Sequence, residues 1–266
     1  MVKYQGILTA LGPIAHGADE KLGTDTKLRR IKMMHNNEPI DVPIISGNAY
    51  RGVLRRIAAN DFLQHIGYKE NMLSDKLYYM MFTGGALKKG SAADHIMVGE
   101  KRELRAMIPF LSVFGTACDN QIMEGKLKCM ICLPVCSETQ QYTDIESNLS
   151  MWDIVDEIYY TRRDDREDRA GDKAGAQQMK YNIEIFATGT KFYHEFVLDS
   201  ENIIERSCFG ALMAEFQKVP VLGGNGAIGH GKIKLEYSPE FEDGEIYYNY
   251  LEENKEKINT YIQRIL

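Results

Sequence analysis

The chain has 266 residues, 44% hydrophobic and 26% charged, enough for one elaborated domain or two small ones around a large core. No apolar run approaches the roughly 18–20 residues of a bilayer-spanning helix, and the opening MVKYQGILTALGPIAHGADE is too interrupted to read as a signal peptide. Five cysteines predict reduced thiols and a cytoplasmic address, while a net charge of −6 argues at first against a polyanionic partner.

Lys3–Leu11 alternates and predicts a first strand. Gly12–Asp41 is a polar connection far longer than the usual few residues, which marks it as functional or partly disordered. Val42–Ile45 leads into a helix that Ser46 or Asn48 caps, that runs to about Ile66, and that stops at Gly67. Tyr50, Val53, Leu54, Ile57 and Ala58 form its apolar face; Arg51 and Arg55, four apart, project side by side from another. Residues 68–112 have mixed periodicity and read as an insertion. Leu127–Val135 predicts a strand. Ser137–Lys180 is polar, and its RRDDREDRAGDK segment reads as a mobile excursion. Tyr181–Ile185 and Lys191–Leu198 read as two strand-like halves joined through Ala187-Thr188-Gly189. Glu201–Lys218 has helical spacing, Lys232–Tyr237 alternates, and an acidic amphipathic helix (about Ile246–Ile265) closes the chain. Stripped of insertions, the order is strand, helix, strand, strand, helix, strand. That predicts an α+β fold of the ferredoxin-like split β-α-β kind (βαββαβ), a single domain over 1–266. Its insertions fall at about 12–41, 68–112 and 137–180, with an acidic tail at 239–266.

The segment LGGNGAIGHGKI (Leu222–Ile233) carries five glycines. Gly224, Gly226 and Gly229 fit G-x-G-x-x-G, but that fingerprint follows a strand and opens a helix; here the order is reversed. Gly231-Lys232 lacks the Ser/Thr and helix of a P-loop. What remains is a helix-to-strand loop whose bare backbone can approach a ligand, with an unrelated nucleotide-binding α+β protein as an alternative use. Cys129, Cys132 and Cys136 are spaced C-x2-C-x3-C without an obvious fourth ligand, which fits small buried residues better than a metal; no cofactor is expected. The six histidines show no metal-binding pairing, and Ser112 and Ser207 lie outside any G-x-S-x-G elbow. Asp25, in the first long loop, is the one candidate for metal-assisted phosphodiester cleavage, beside the plainer reading of a turn residue.

Charge is unevenly spread. Residues 239–266 hold seven acids and three bases, leaving the rest at −2. Between Lys27 and Arg56 stand seven bases (Lys27, Arg29, Arg30, Lys32, Arg51, Arg55, Arg56) against Glu38 and Asp41, a local +5. A polyanion feels that local excess, because salt screens charges beyond about 8–10 Å. Ser46, Asn48 and the amides at the helix N-terminus offer a phosphate seat, with Arg51 and Arg55 one and two turns in.

Four segments in order, PIISGNAYRGVLRR after the basic loop, GKLKCMICLP, NIEIFATGTKFYHEFVL and GGNGAIGHGKI, resemble the RAMP superfamily of CRISPR-associated RNA-binding proteins over nearly the whole chain. The chain looks most like the repeated backbone subunit of multisubunit effector complexes. LTALGPIAHGADEKLGTDTKLRRIKM looks most like the type IV branch, with type III and type I-D as neighbours. The resemblance implies an RRM-like palm with finger and thumb insertions, and a scaffold role rather than catalysis. It implies binding of guide RNA (crRNA) through its backbone, head-to-tail assembly with copies of itself, contact with other effector subunits, and guide bases left free to pair with target nucleic acid. By position, Lys27, Arg29, Arg30 and Lys32 match the basic loop, and Ser46, Asn48, Arg51 and Arg55 match the turn and helix that hold phosphate. Gly224, Asn225, Gly226, Gly229 and His230 match the glycine loop; Arg162, Arg163 and Arg166 fall in the thumb. Asp25 sits near the aspartate with which type III relatives cut target RNA, so a ribonuclease is the alternative. The aromatic ribonucleoprotein motifs of ordinary RRMs are absent, which fits backbone gripping rather than base reading.

Overall fold

Alternation of apolar and polar side chains sets the central sheet. In the computed structural model, which describes residues 1–18, 25–68, 72–85, 97–118, 121–162 and 179–265, β1 (Val2–Ala10) buries Tyr4, Gly6, Leu8 and Ala10 and turns Lys3 and Gln5 outward. β11 (Lys191–Leu198) does the same with Phe192, His194, Phe196 and Leu198. The two pair antiparallel from Val2↔Leu198 to Thr9↔Lys191. β12 (Ile233–Ser238) flanks β1, while β7 (Leu127–Cys129) and β8 (Leu133–Pro134) pair successive parts of β11. The order is β12-β1-β11-β7, with every pair antiparallel and the first and third strands of the βαββαβ series in the middle. The expected Leu127–Val135 strand is broken, because Cys132 exchanges backbone hydrogen bonds with Ile45 instead of β11. The sheet's outer face satisfies its own polar groups: Lys3 pairs with Glu195 at 2.7 Å, and Gln5 donates to Tyr193 and Glu195 at 2.6 and 2.8 Å.

α1 (Gly47–Ile66) starts where Ser46 Oγ accepts from Ala49 N and stops at Gly67, whose φ of 78° needs no Cβ. α6 (Ile203–Lys218) is capped by Asn202. Both pack with α7 (Glu245–Ile265) and the wholly buried α4 (Pro109–Phe114) into one core with Tyr4, Leu8, Tyr50, Phe62, Phe196, Phe209 and Phe216. Each such aromatic contributes about 1.5–3 kcal/mol by burial. The acidic end is therefore no tail. Tyr247, Leu251, Ile258 and Ile262 of α7 lie in the core, and the acids face out. A Cβ on Gly210 would meet Glu242 O at 1.7 Å, so only glycine admits the segment leading into α7.

Three further corrections concern the insertions. Tyr181–Ile185 does not share a strand with β11. It lies in β10 (Met179–Phe186), which pairs with β9 (Val155–Arg162) and with the short β2 (Asp25–Thr26) in a separate three-stranded sheet. Gly189, at φ 94°, turns the chain between the two sheets. The long connection contains a hairpin, β3 (Arg30–His35) and β4 (Glu38–Pro43), joined by Asn36-Asn37 at φ 49° and 67°. Its Val42 and Ile44 form a second small core with Cys136, Met151 and Ile154, beside α5 (Gln140–Thr143). Residues 68–112 include α2 (Asp75–Tyr78), a wider π-helical turn at Tyr79–Thr83 and α3 (Val98–Met107), and end in α4, which is core. A hairpin of β5 (Gly115–Cys118) and β6 (Gln121–Glu124) follows. Among the described residues no helix is long and apolar enough to cross a membrane.

Candidate nucleic-acid interface

The first turns of α1 form one wall of a cleft of about 670 Å³. Asn48, Arg51, Gly52, Arg55 and Arg56 recur every three or four residues, so one helix face presents them all to it. The π-helical turn and the β5–β6 hairpin contribute Phe82–Gly84 and Phe114–Ala117, and His16 and Gly223 complete the lining. Ser46 N donates to His16 Nε2 at 3.1 Å, which places the neutral ring's proton on Nδ1.

The arginines differ in what holds them. Arg55 is 5% exposed, and both terminal nitrogens are spent on backbone carbonyls. Nη1 donates to Met80 O and Met81 O at 3.2 and 3.5 Å, and Nη2 to Phe114 O and Gly115 O at 2.9 and 2.7 Å. Burial, followed by the neighbouring Arg51 charge, lowers its pKa to about 10. Arg51 is half-buried, donates to Phe114 O, and is shifted down by burial. The two Cζ atoms lie 5.6 and 5.5 Å from the Phe114 ring centroid. Among the described residues no carboxylate pairs with Arg51, Arg55 or Arg56, and Glu124 is the only acid in the lining. Desolvating guanidiniums without a counter-charge costs free energy, and an anion entering the cleft offsets it.

The rest of the expected basic window is largely neutralised. Lys27 bonds Glu157 of β9 at 2.7 Å, holding that carboxylate down to about 2. Arg30 grips Glu184 of β10 through two bonds of 2.7 and 2.8 Å, and Leu28 N adds a third at 2.8 Å. Burial alone raises the Glu184 pKa; these bonds outweigh it and leave the group below its usual range. Lys32 pairs with Asp41 at 3.4 Å on the surface. Lys27, Arg30 and Lys32 are therefore not among the cleft's lining groups. Arg29 N donates to His16 O at 2.9 Å and holds the first loop beside the cleft. Asp25 pairs in register with Asn182 of β10, and among the described residues no three His, Cys, Asp or Glu side chains are grouped to hold a metal.

The glycine loop is clasped to the segment after β1. Gly224 N donates to Ala15 O at 2.7 Å and Gly231 N to Pro13 O at 2.8 Å. Gly223, at φ 91°, approaches so closely that a Cβ would meet Ala15 O at 2.5 Å. Gly223 is the loop residue that lines the cleft; Gly224, Asn225, Gly226 and Gly229 stand exposed outside its lining. His230 is buried beneath them and shares a hydrogen bond with Tyr160, tying the loop to β9 rather than facing a ligand. Arg162 ends β9, and Arg163 and Arg166 lie outside the described residues. His16, Gly52 and Gly223 were not among the expected binding residues, and Arg56 was counted only in the basic window; the four-residue spacing Asn48, Gly52, Arg56 was the available signal.

A second polar group is buried in the core. Cys129 Sγ lies 3.5 Å from His194 Nε2, yet that nitrogen donates to Met130 O at 3.1 Å while Nδ1 accepts from Tyr237 at 2.7 Å. Burial lowers the His194 pKa to about 3 and pushes the Cys129 thiol up to about 12. This is a fixed neutral pair, not an activated nucleophile.

No family model matches the chain, and no curated protein matches it in sequence. Its fold has a counterpart among solved structures. A chain from a structure described as a Type IV-B CRISPR Complex aligns over 90% of this chain and 91% of that one, with a TM-score of 0.65 at 20% identity.

Proposed function

We propose that this chain is a guide-RNA-binding backbone subunit of a type IV CRISPR effector complex, assembling head-to-tail with copies of itself along the guide in the cytoplasm. One observation carries the reading. A fold shared with a chain of such a complex holds, in a cleft built from widely separated segments, a desolvated group of arginines without a paired carboxylate. Phosphate suits that cleft. Arg51 supplies charged donors, Arg56 a second charge, and Asn48 and His16 neutral polar groups, while Tyr193, on the outer face of the central sheet, is tied to Gln5 and Glu195. Recognition is then of the ribose-phosphate backbone, and the bases stay available for a target strand. Fluorescence anisotropy with labelled single-stranded RNAs of unrelated sequence tests it. Similar affinities, together with sedimentation coefficients that rise stepwise with RNA length, are expected. Binding confined to one sequence, or one protomer on every length, overturns it.

A further inference from the structure

Glycine is a poor choice inside a helix, because it loses more backbone freedom on folding than alanine. Five glycines line the cleft, and four have reasons within the fold. Gly84, Gly115 and Gly223 have φ of 91°, 68° and 91°, and a Cβ on Gly125 would meet Phe114 C at 2.4 Å. Gly52 has no such reason. It sits in the second turn of α1 with helical backbone, and a Cβ there would meet nothing within 4 Å among the described residues. It is also central on the cleft face, one turn after Asn48 and one turn before Arg56, beside Arg51. An unexplained helical glycine in the middle of a binding face marks a place where something outside the chain comes close.

Resting on the proposed function, we infer that Gly52 is the contact floor of the site: the sugar-phosphate strand of single-stranded RNA crosses α1 against its bare backbone, between Asn48 and Arg56. The absent side chain lets the strand sit low enough for Arg51 to reach a phosphate beside the helix. Any side chain at 52 lifts it.

Gly52→Ala, Gly52→Val and Gly99→Ala are compared with the unaltered chain by thermal melting and RNA anisotropy. Gly99, in α3, has equally open space around its Cβ and does not line the cleft, so it controls for helix propensity alone. Gly52→Ala is expected to melt no lower than the unaltered chain yet bind RNA about tenfold more weakly, with Gly52→Val weaker still and Gly99→Ala unchanged. Unaltered RNA affinity in Gly52→Ala overturns the inference and leaves the proposed function standing. A lowered melting temperature in Gly52→Ala also overturns it, since the glycine then serves the fold. No RNA binding by the unaltered chain overturns the proposed function itself.

Discussion

Arg51 and Arg55 look interchangeable in sequence and should come apart completely by experiment. Truncating Arg55 to alanine strips the donors from four carbonyls (Met80, Met81, Phe114 and Gly115) in a buried setting. Two of these keep another donor: Thr116 Oγ1 reaches Met80 O at 3.1 Å, and Arg51 reaches Phe114 O. The other two, at about 1–3 kcal/mol each for a stranded buried acceptor, put the cost at roughly 2–6 kcal/mol. Truncating Arg51 strands nothing, because Phe114 O retains Arg55. Its lost bond costs about 1 kcal/mol, offset in part by relief of the repulsion that lowers the Arg55 pKa. Binding should rank them the other way, because Arg51 keeps donors for a phosphate; losing one charge-assisted contact of about 1.5–3 kcal/mol weakens RNA affinity roughly 10- to 150-fold. Denaturant titration followed by circular dichroism measures the first effect; Trp152, at 67% exposure, is already too wet to report on folding by fluorescence. Anisotropy at fixed salt measures the second. Equal destabilisation by both variants, or unchanged RNA affinity in Arg51→Ala, would refute the division of labour.

Three further outcomes follow from single groups. His194, with its pKa lowered to about 3 against roughly 6.5 when unfolded, binds its proton first in the unfolded chain, so its contribution is complete above pH 6.5 and lost as pH falls towards 3. About 2 kcal/mol of stability should disappear between pH 7 and 5, above the range where carboxylates titrate, and His194→Gln should flatten that slope in denaturant titrations. Glu184→Gln leaves the Arg30 guanidinium short of its counter-charge and should cost about 2–3 kcal/mol by the same titration, with β2 and β10 loosening first in hydrogen exchange. Gly231→Ala forces a Cβ within 2.2 Å of Leu222 O at a φ of 83°, so the loop should lose proteolytic protection at residues 221–232, whereas Gly226→Ala, with helical backbone and only Val221 near, should not.

What could be read in advance depended on how local the cause was. α1 was legible because its apolar spacing, its Ser46 cap and its Gly67 stop all sit within the helix or one residue beyond it. β1, β11 and β12 were legible through alternation. Alternation says nothing about which sheet a strand joins, so β10 and β11, with the same period, were read as halves of one element until the turn at Gly189 separated them. The β3–β4 hairpin carried a local mark, Asn36-Asn37, but charged residues hid its period. Charge was the least legible quantity. Glu157 and Glu184 lie 130 and 154 residues from Lys27 and Arg30, and no window along the chain contains both members of either pair. Which arginine faces solvent and which binds carbonyls is likewise decided by α4 and the π-helical turn, remote in sequence from α1.

Those remote pairings change what salt should do to RNA binding. If all seven bases between Lys27 and Arg56 met phosphates, each at about 0.7 per phosphate on a single strand, the slope of log affinity against log salt would approach 5 per protomer. Lys27, Arg30 and Lys32 already have carboxylates, and Arg55 is committed to carbonyls. Arg29, Arg51 and Arg56 then release counterions worth about 2.1, and Arg162, Arg163 and Arg166 add no more than about the same again. A slope of roughly 2–4 per protomer is the expected result. It would fall by about 0.7 in Arg51→Ala and stay unchanged in Lys32→Ala, whose charge is already balanced at the surface. A slope near 5, insensitive to Arg51, would mean that the ion pairs with Glu157 and Glu184 open when RNA arrives, and that the strand lies along β2 and β3 instead of in the cleft.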